Sequence, residues 1–434
     1  MSGAWTRRRD VVPVFCVPNI AVRREVGADL AMYRICLQDR AMSSSYLSLL
    51  RTLVAFDTTS RHSNMELIDW VQQYLADHGI ACRRTLNDEG NKANLFARIG
   101  TEDQPLLLLS GHTDVVPVDG QAWSTPPFQL TDKGDGRWYG RGAADMKGFI
   151  ACVLAHVPHW VELAGQGRLR QGIGIALSYD EEVGCLGVPR LIDGLLQDQV
   201  AVAGCIIGEP TSMRPVIAHK GIAHYHCHVQ GRAAHSSLTP QGVNAIEYAA
   251  RLITHVRRLA DTEASFGHHQ PLYDVPFTTL QTGTIHGGTA NNIVPKDCEF
   301  TFECRWLPGD DPQRFVDSVR DYADKLLLEM RQVASEADIS IVPRVYCPAF
   351  EATPDSEVLH YVEKLCACHG GDGVAYTTEA GVFHAAGIPC VVLGPGSIEQ
   401  AHRPDEFIEE SQLAACFDWL ARLTEELCRT QDPA

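Results

Sequence analysis

Five short runs of this chain carry side chains that could do chemistry together. "LLLLSGHTD" ends on His112 and Asp114, "GRGAADMKG" holds Asp145, and "GIALSYDEE" ends on Asp180, Glu181 and Glu182. "CIIGEP" presents Glu209, and "GPGSIEQAHRPDEF" presents His402. Any one alone reads as a helix cap or a loop polar, and Asp145 would suit a helix N-terminus. Together they are two histidines and several carboxylates, a donor set for borderline divalent ions such as Zn²⁺ or Co²⁺. Two ions ~3.5–4 Å apart need a bridging carboxylate. Asp145, approached through glycines, is the best placed. The neighbours Glu181 and Glu182 would diverge on an extended segment, so one can ligate while the other faces substrate. A free carboxylate beside acidified water can take its proton and return it to a leaving amine, which is a route to amide hydrolysis. Neither a Walker-type phosphate loop nor a G-x-S-x-G serine elbow occurs in the chain.

The elements around these runs must bring them to one place. Continuous apolar runs such as "LLLL" and "CII" read as buried strands, and in open α/β sheets ligands gather where such strands end. "NMELIDWVQQYLADHGI", "KGFIACVLAHVPHWVEL" and "GVPRLIDGLL" have helical spacing and alternate with strands "ANLFARIG", "GIGIALSY" and "VAGCIIGEP". That rhythm predicts an α/β fold, a mostly parallel sheet with helices on both faces. Near Arg214 it changes. "VIAHKGIAHYHCHVQG" alternates at period two and opens a β-α-β-β-α-β order, an α+β unit on one antiparallel sheet. The α/β rhythm resumes after Ala349. The expected organisation is an N-terminal extension (1–42), a catalytic domain made of 43–214 and 349–434, and an inserted lid or dimerisation domain (215–348).

The chain has 434 residues, 45% of them hydrophobic, within the range of globular proteins, and a formal net charge of −17, which argues against a nucleic-acid partner. Uninterrupted apolar runs fall short of the roughly 18 residues of a membrane span, so no membrane partner is expected. Fifteen scattered cysteines suit reduced thiols in a cytoplasmic protein. Cys366-Ala-Cys368-His369 lacks the second half of a zinc-finger spacing. The arginine-bearing first ~40 residues lack the apolar core of a secretory signal and read as a weakly ordered extension, with Met42 a second start position.

Seven ordered motifs, "SGHTDVVP", "GRGAADMKG", "SYDEEVGCLG", "GEPT", "GRAAHSS", "GGTANNIVP" and "AHRPDEF", resemble the signature of the dizinc M20 metallopeptidases from about Leu47 onward. "GEPTSMRPVIAHKG" and "ECRWLPG" resemble its acetylornithine deacetylase branch most closely, with succinyl-diaminopimelate desuccinylases next. The resemblance implies that His112 and Glu209 hold one zinc, that Glu182 and His402 hold the other, and that Asp145 bridges. It implies Asp114 as the group orienting His112 and Glu181 as general base and acid. His235, a loop histidine on its residues alone, would stabilise the oxyanion, reaching the partner subunit's site in dimeric relatives. Asn292 and Arg305 would bind the substrate carboxylate, a task suited to a guanidinium. His219, His224, His226 and His228 read as strand residues without chemistry. The implied activity is removal of acetyl from N2-acetyl-L-ornithine by a homodimer paired through its lid. Sister activities on N-succinyl-diaminopimelate, acetylcitrulline or dipeptides are the alternatives. A non-catalytic binding protein fits poorly, because every ligand position and the base are present.

Overall fold

The computed structural model describes residues 46–428; the N-terminal extension lies outside them. Its central sheet has nine strands. At its heart Gly172–Ser178, Leu106–His112, Val202–Ile207 and Cys390–Val392 lie side by side in parallel. Ala93–Ile99 pairs antiparallel with the first of these and with the edge strand Cys82–Leu86, and antiparallel pairing returns at the far side. The fold is therefore α/β on a mixed, mostly parallel sheet.

The leucine run follows from this position. Leu107 and Leu109 face one core, with the helices Met65–Asp77, Gly148–Gly165 and Glu410–Cys428; Leu106 and Leu108 face another, with Val188–Gln197 and Ala380–Ala385. A strand covered on both faces has no polar side to show. The neighbouring "GIGI" is the counterpart. A Cβ at Gly174 would stand 2.3 Å from Leu108 Cδ2, so its glycines make room for the leucines and bind no nucleotide phosphate. Residues Ala143–Gly165, the helix Gly148–Gly165 and the irregular turn before it, have the length and mean hydropathy, 1.2, of a membrane span. Their apolar residues instead pack in the first core, from Phe149 to Trp160 and Leu163.

The smaller sheet is antiparallel, ordered Thr279–Gly287, Asp297–Trp306, Gly221–Gln230, Asp338–Cys347. The period-two run divides at Lys220. Val216–His219 pairs in the large sheet, and only Gly221 onward enters the small one. Ala223, Tyr225, Cys227 and Val229 point into a core with the helices Ala245–Phe266 and Gln313–Arg331. Asn244 caps the first of these helices, accepting from the amides of Ile246 and Glu247. On the sheet's other face His224, His226 and His228 pair with Glu303, Glu299 and Asp297 at 2.8, 3.2 and 3.2 Å. These exposed cross-strand pairs account for the three histidines.

Two further histidines are buried neutral. His156 stacks on Phe417 with ring centroids 4.1 Å apart, and His219 lies at the junction of the two sheets. Burial holds each down to about 4 from the ordinary 6.5. Below pH 6.5 the unfolded chain takes up these protons first. Their contribution to stability is therefore complete above about pH 6.5 and lost as pH falls towards 4, on the order of 3 kcal/mol each. Thermal melts between those limits should show a steeper loss in the parent than in His156→Gln. Identical slopes would refute the assignment.

Candidate metal centre

Three neighbouring parallel strands end together and deliver most of the site. His112 is the last residue of its strand and stands opposite Ser178, three residues before Glu181; Ile207 ends the strand on the other side, two residues before Glu209. Asp145 enters from the loop before the helix Gly148–Gly165, and His402 from the loop before Phe407–Glu409. The ligand atoms form two overlapping groups, His112–Asp145–Glu209 and Asp145–Glu182–His402, with all atoms of each group within 4.8 Å of one another.

Asp145 belongs to both groups through different oxygens. Its Oδ1 lies 3.0 Å from His112 Nε2, and its Oδ2 lies 3.4 Å from His402 Nε2. Glu209 Oε1 is 3.8 Å from His112 Nε2, and Glu182 Oε2 is 2.9 Å from His402 Nε2. The His112, Asp145, Glu182 and Glu209 side chains are almost fully buried, whereas that of His402 is 55% exposed and marks the open side.

The electrostatics describe a cage of acids in need of cations. Burial, with neighbouring carboxylates adding to it, pushes Glu181 and Glu209 well up and Glu182 to about 7. Burial would raise Asp145 too, but hydrogen bonds from His112 and His402 outweigh it and hold Asp145 below the carboxylate range. Burial disfavours the His112 cation, yet the bond to Asp145 and the surrounding acids raise it well above its ordinary value; His402 rises to about 10 through Asp145 and Glu182. Divalent cations would supply the positive charge these protons now provide. Imidazole plus carboxylate is also the donor chemistry of zinc and cobalt sites. The residues fit two ions, with Asp145 between them.

The structure alters the expected part of Asp114. His112 Nδ1–H donates to the backbone carbonyl of Asp114 at 2.9 Å, which leaves Nε2 for a metal; the Asp114 carboxylate is 3.7 Å away. That carboxylate instead accepts from the amides of Glu181 and Glu182, at 3.1 and 3.2 Å, and from Ser60 Oγ at 2.7 Å. Nor is the glutamate pair extended. Asp180 has φ 58°, and the amides of Gly184 and Cys185 turn back onto the Glu181 carbonyl. A turn diverges the two side chains here, because the chain must reverse between the strand Gly172–Ser178 and the helix Val188–Gln197. Asp180 is an ion-pair partner of Lys92, at 2.6 Å.

His235, Asn292 and Arg305 stand apart from the ligands. His235 is exposed and bonds to Ser237 Oγ at 2.8 Å, and the Ser236 amide donates to the Asn292 carbonyl at 3.0 Å. Among the described residues these hydrogen bonds stay within the segments around the smaller sheet. Arg305 Nη1 donates to the Ala375 carbonyl at 3.3 Å, and its Nε lies 3.4 Å from Glu303. Sequence reasoning missed the next residue. This is Tyr376, whose phenol is pushed up by burial and then by the Glu209 and Asp145 carboxylates. It also missed Glu406 and Ser60. Of these only Glu406 left a signal, its place in "AHRPDEF".

The comparisons with known proteins agree in kind. The family model described as peptidase family M20/M25/M40 matches residues 108–426. An acetylornithine deacetylase of Myxococcus xanthus is 36% identical over 391 residues, covering 87% of this chain and 96% of that protein. One of Pasteurella multocida (strain Pm70) is 34% identical, covering 88% and 98%. Among solved structures, an M20 family metallo-carboxypeptidase, Sso-CP2 of Sulfolobus solfataricus, shares the fold at TM-score 0.68, with 18% identity over 88% of this chain and 98% of its own. The aminopeptidase PepT of Bacillus cereus does so at 0.67, with 19% identity over 89% and 99%.

Proposed function

This chain belongs to peptidase family M20/M25/M40, and from that premise we propose that it hydrolyses N2-acetyl-L-ornithine to L-ornithine and acetate. It is a metal-dependent amidohydrolase. The observation that carries the reading is Asp145, shared through its two oxygens by two ligand groups with Glu181 beside them. The acetylornithine substrate is supported by relatives bearing that activity in their names at 32–36% identity over most of the chain.

Zinc is the ion proposed, held by His112 and Glu209 on one side and Glu182 and His402 on the other. Two divalent ions there would supply Lewis acidity towards the amide carbonyl and acidify the attacking water. Glu181 takes the water's proton and passes it to the departing amine nitrogen. Burial holds the Glu181 carboxyl above the ordinary carboxylate range, the direction that suits a group that both accepts and returns a proton. His235 hydrogen-bonds the oxyanion, and Asn292 and Arg305 hold the substrate carboxylate. We place His235 and Asn292 in the partner subunit's site of a homodimer paired through the lid, a reading supported by their exposure on the lid of this chain. A cytoplasmic location is part of the same proposal, and every cysteine among the described residues is a free thiol.

Amine release by zinc-loaded protein from acetylornithine, beside N-succinyl-diaminopimelate, N-acetylcitrulline and a dipeptide, tests the activity. A clear preference for acetylornithine is expected; preference for another member of the panel would overturn the substrate and leave the metal centre. Sedimentation of the same preparation should give twice the chain mass, 47.7 kDa.

A further inference from the structure

The metal ligands Asp145 and His402 lie on loops 257 residues apart in sequence, yet one buried frame holds both. Glu406 is 1% exposed, and its two oxygens are fully used. Oε1 accepts from the amides of Ala144 and Asp145 at 3.0 and 3.2 Å, and Oε2 accepts from the Gly142 amide at 3.1 Å and Arg141 Nη1 at 2.7 Å. Arg141, also 1% exposed, extends the frame: its Nη2 donates to Gln121 Oε1 at 2.6 Å. Gln121 Nε2 then donates to the backbone carbonyl of His402 at 2.9 Å, where the chain has φ 65°. Trp123 steadies Gln121 through its indole N–H at 3.0 Å and carries the Arg141 guanidinium over its ring at 5.0 Å.

We propose that Glu406, Arg141 and Gln121 are positioning residues for the Asp145–Glu182–His402 subsite, fixing the backbone of two of its three ligands from one buried ion pair. The inference rests on the dinuclear reading and deepens it. A carboxylate is required at 406. An amide has one acceptor oxygen, so glutamine there would turn an NH₂ against either the backbone amides or Arg141. Burying an ion pair is expensive unless every lone pair and proton is used. Here the Glu406 oxygens take four donors, three of them backbone amides of the loop that carries Asp145 and the fourth Arg141 Nη1. Of the pair's side-chain atoms, Arg141 Nε alone is left without a partner among the described residues. Gln121 bonds to the ligand backbone only at His402, and reaches the Asp145 loop only through Arg141.

The frame therefore makes separable predictions. Gln121→Leu, at a partly exposed position, should leave the fold intact and weaken chiefly one of the two ions, the one held at Asp145, Glu182 and His402, by the roughly 10–100-fold that outer partners of metal ligands cost. Glu406→Gln displaces the bridging ligand and should weaken both. Zinc stoichiometry and affinity are measured by competition with a chromogenic chelator, and the visible spectrum of the cobalt-loaded protein reports the geometry of each ion. The parent binding two ions is the control; a parent that binds none refutes the dinuclear reading itself. With two ions on the parent, unchanged affinity for both ions and an unchanged cobalt spectrum in folded Gln121→Leu would overturn the frame. Should Glu406→Gln not fold, Gln121→Leu still decides.

Discussion

Replacing Glu181 with alanine should lower turnover by about 10²–10⁴-fold while both ions stay bound. Glu181 belongs to neither ligand group, so its removal leaves the cage of His112, Asp145, Glu182, Glu209 and His402 intact. The side chain that remains cannot take a proton from water. In the parent the Glu181 carboxylate accepts from Cys185 Sγ at 3.5 Å, and that thiol offers no substitute base. Metal content and single-turnover rates, measured together, check the assignment. Near-parental turnover with two ions bound would refute it; loss of the ions would reassign Glu181 to the cage.

Asp145→Asn should be more damaging to binding than any outer-partner change. An asparagine keeps one carbonyl oxygen, so it can serve His112's side or His402's side but not both, and its NH₂ faces the other histidine as a donor. The expected protein binds one ion or none at concentrations that saturate the parent. Its turnover falls by more than the about 10–100-fold typical of second-layer substitutions. Zinc analysis after dialysis against a weak chelator gives the stoichiometry. Two ions retained at parental affinity would show that Asp145 does not bridge.

Much of this site was legible because the donors follow apolar runs. The four leucines and "CII" announced strands buried on both faces, and the polar residues just beyond them had to sit at the sheet's edge. Asp145 and His402 were legible through glycine-rich and proline-bearing loops rather than through periodicity. What sequence could not give was the use of backbone. Asp114 was read as the histidine's orienting side chain, but its carbonyl does that task and its carboxylate holds two amides. No side-chain pattern encodes which carbonyl lies within 2.9 Å of an imidazole. The break at Lys220 was hidden for a related reason. Both sides of it alternate at period two, and only pairing partners tell that Val216–His219 and Gly221–Gln230 belong to different sheets. Glu406 and Gln121 act across long sequence distances, and neither has a local period to betray it.

The two amides on the Asp114 carboxylate have a consequence for how such a protein can change. Glu181, the proposed proton carrier, and Glu182, a proposed ligand, are consecutive residues, so their spacing is one peptide unit, about 3.8 Å between Cα atoms. Both ends of that unit are fastened to the same anchor. It is a ruler that no movement of the smaller sheet can stretch. His235, Asn292 and Arg305 sit on the other, smaller sheet and its loops. On the proposed roles, selectivity can therefore drift by rewriting this smaller unit, in a lineage or at the bench, while the spacing of Glu181 and Glu182 stays calibrated.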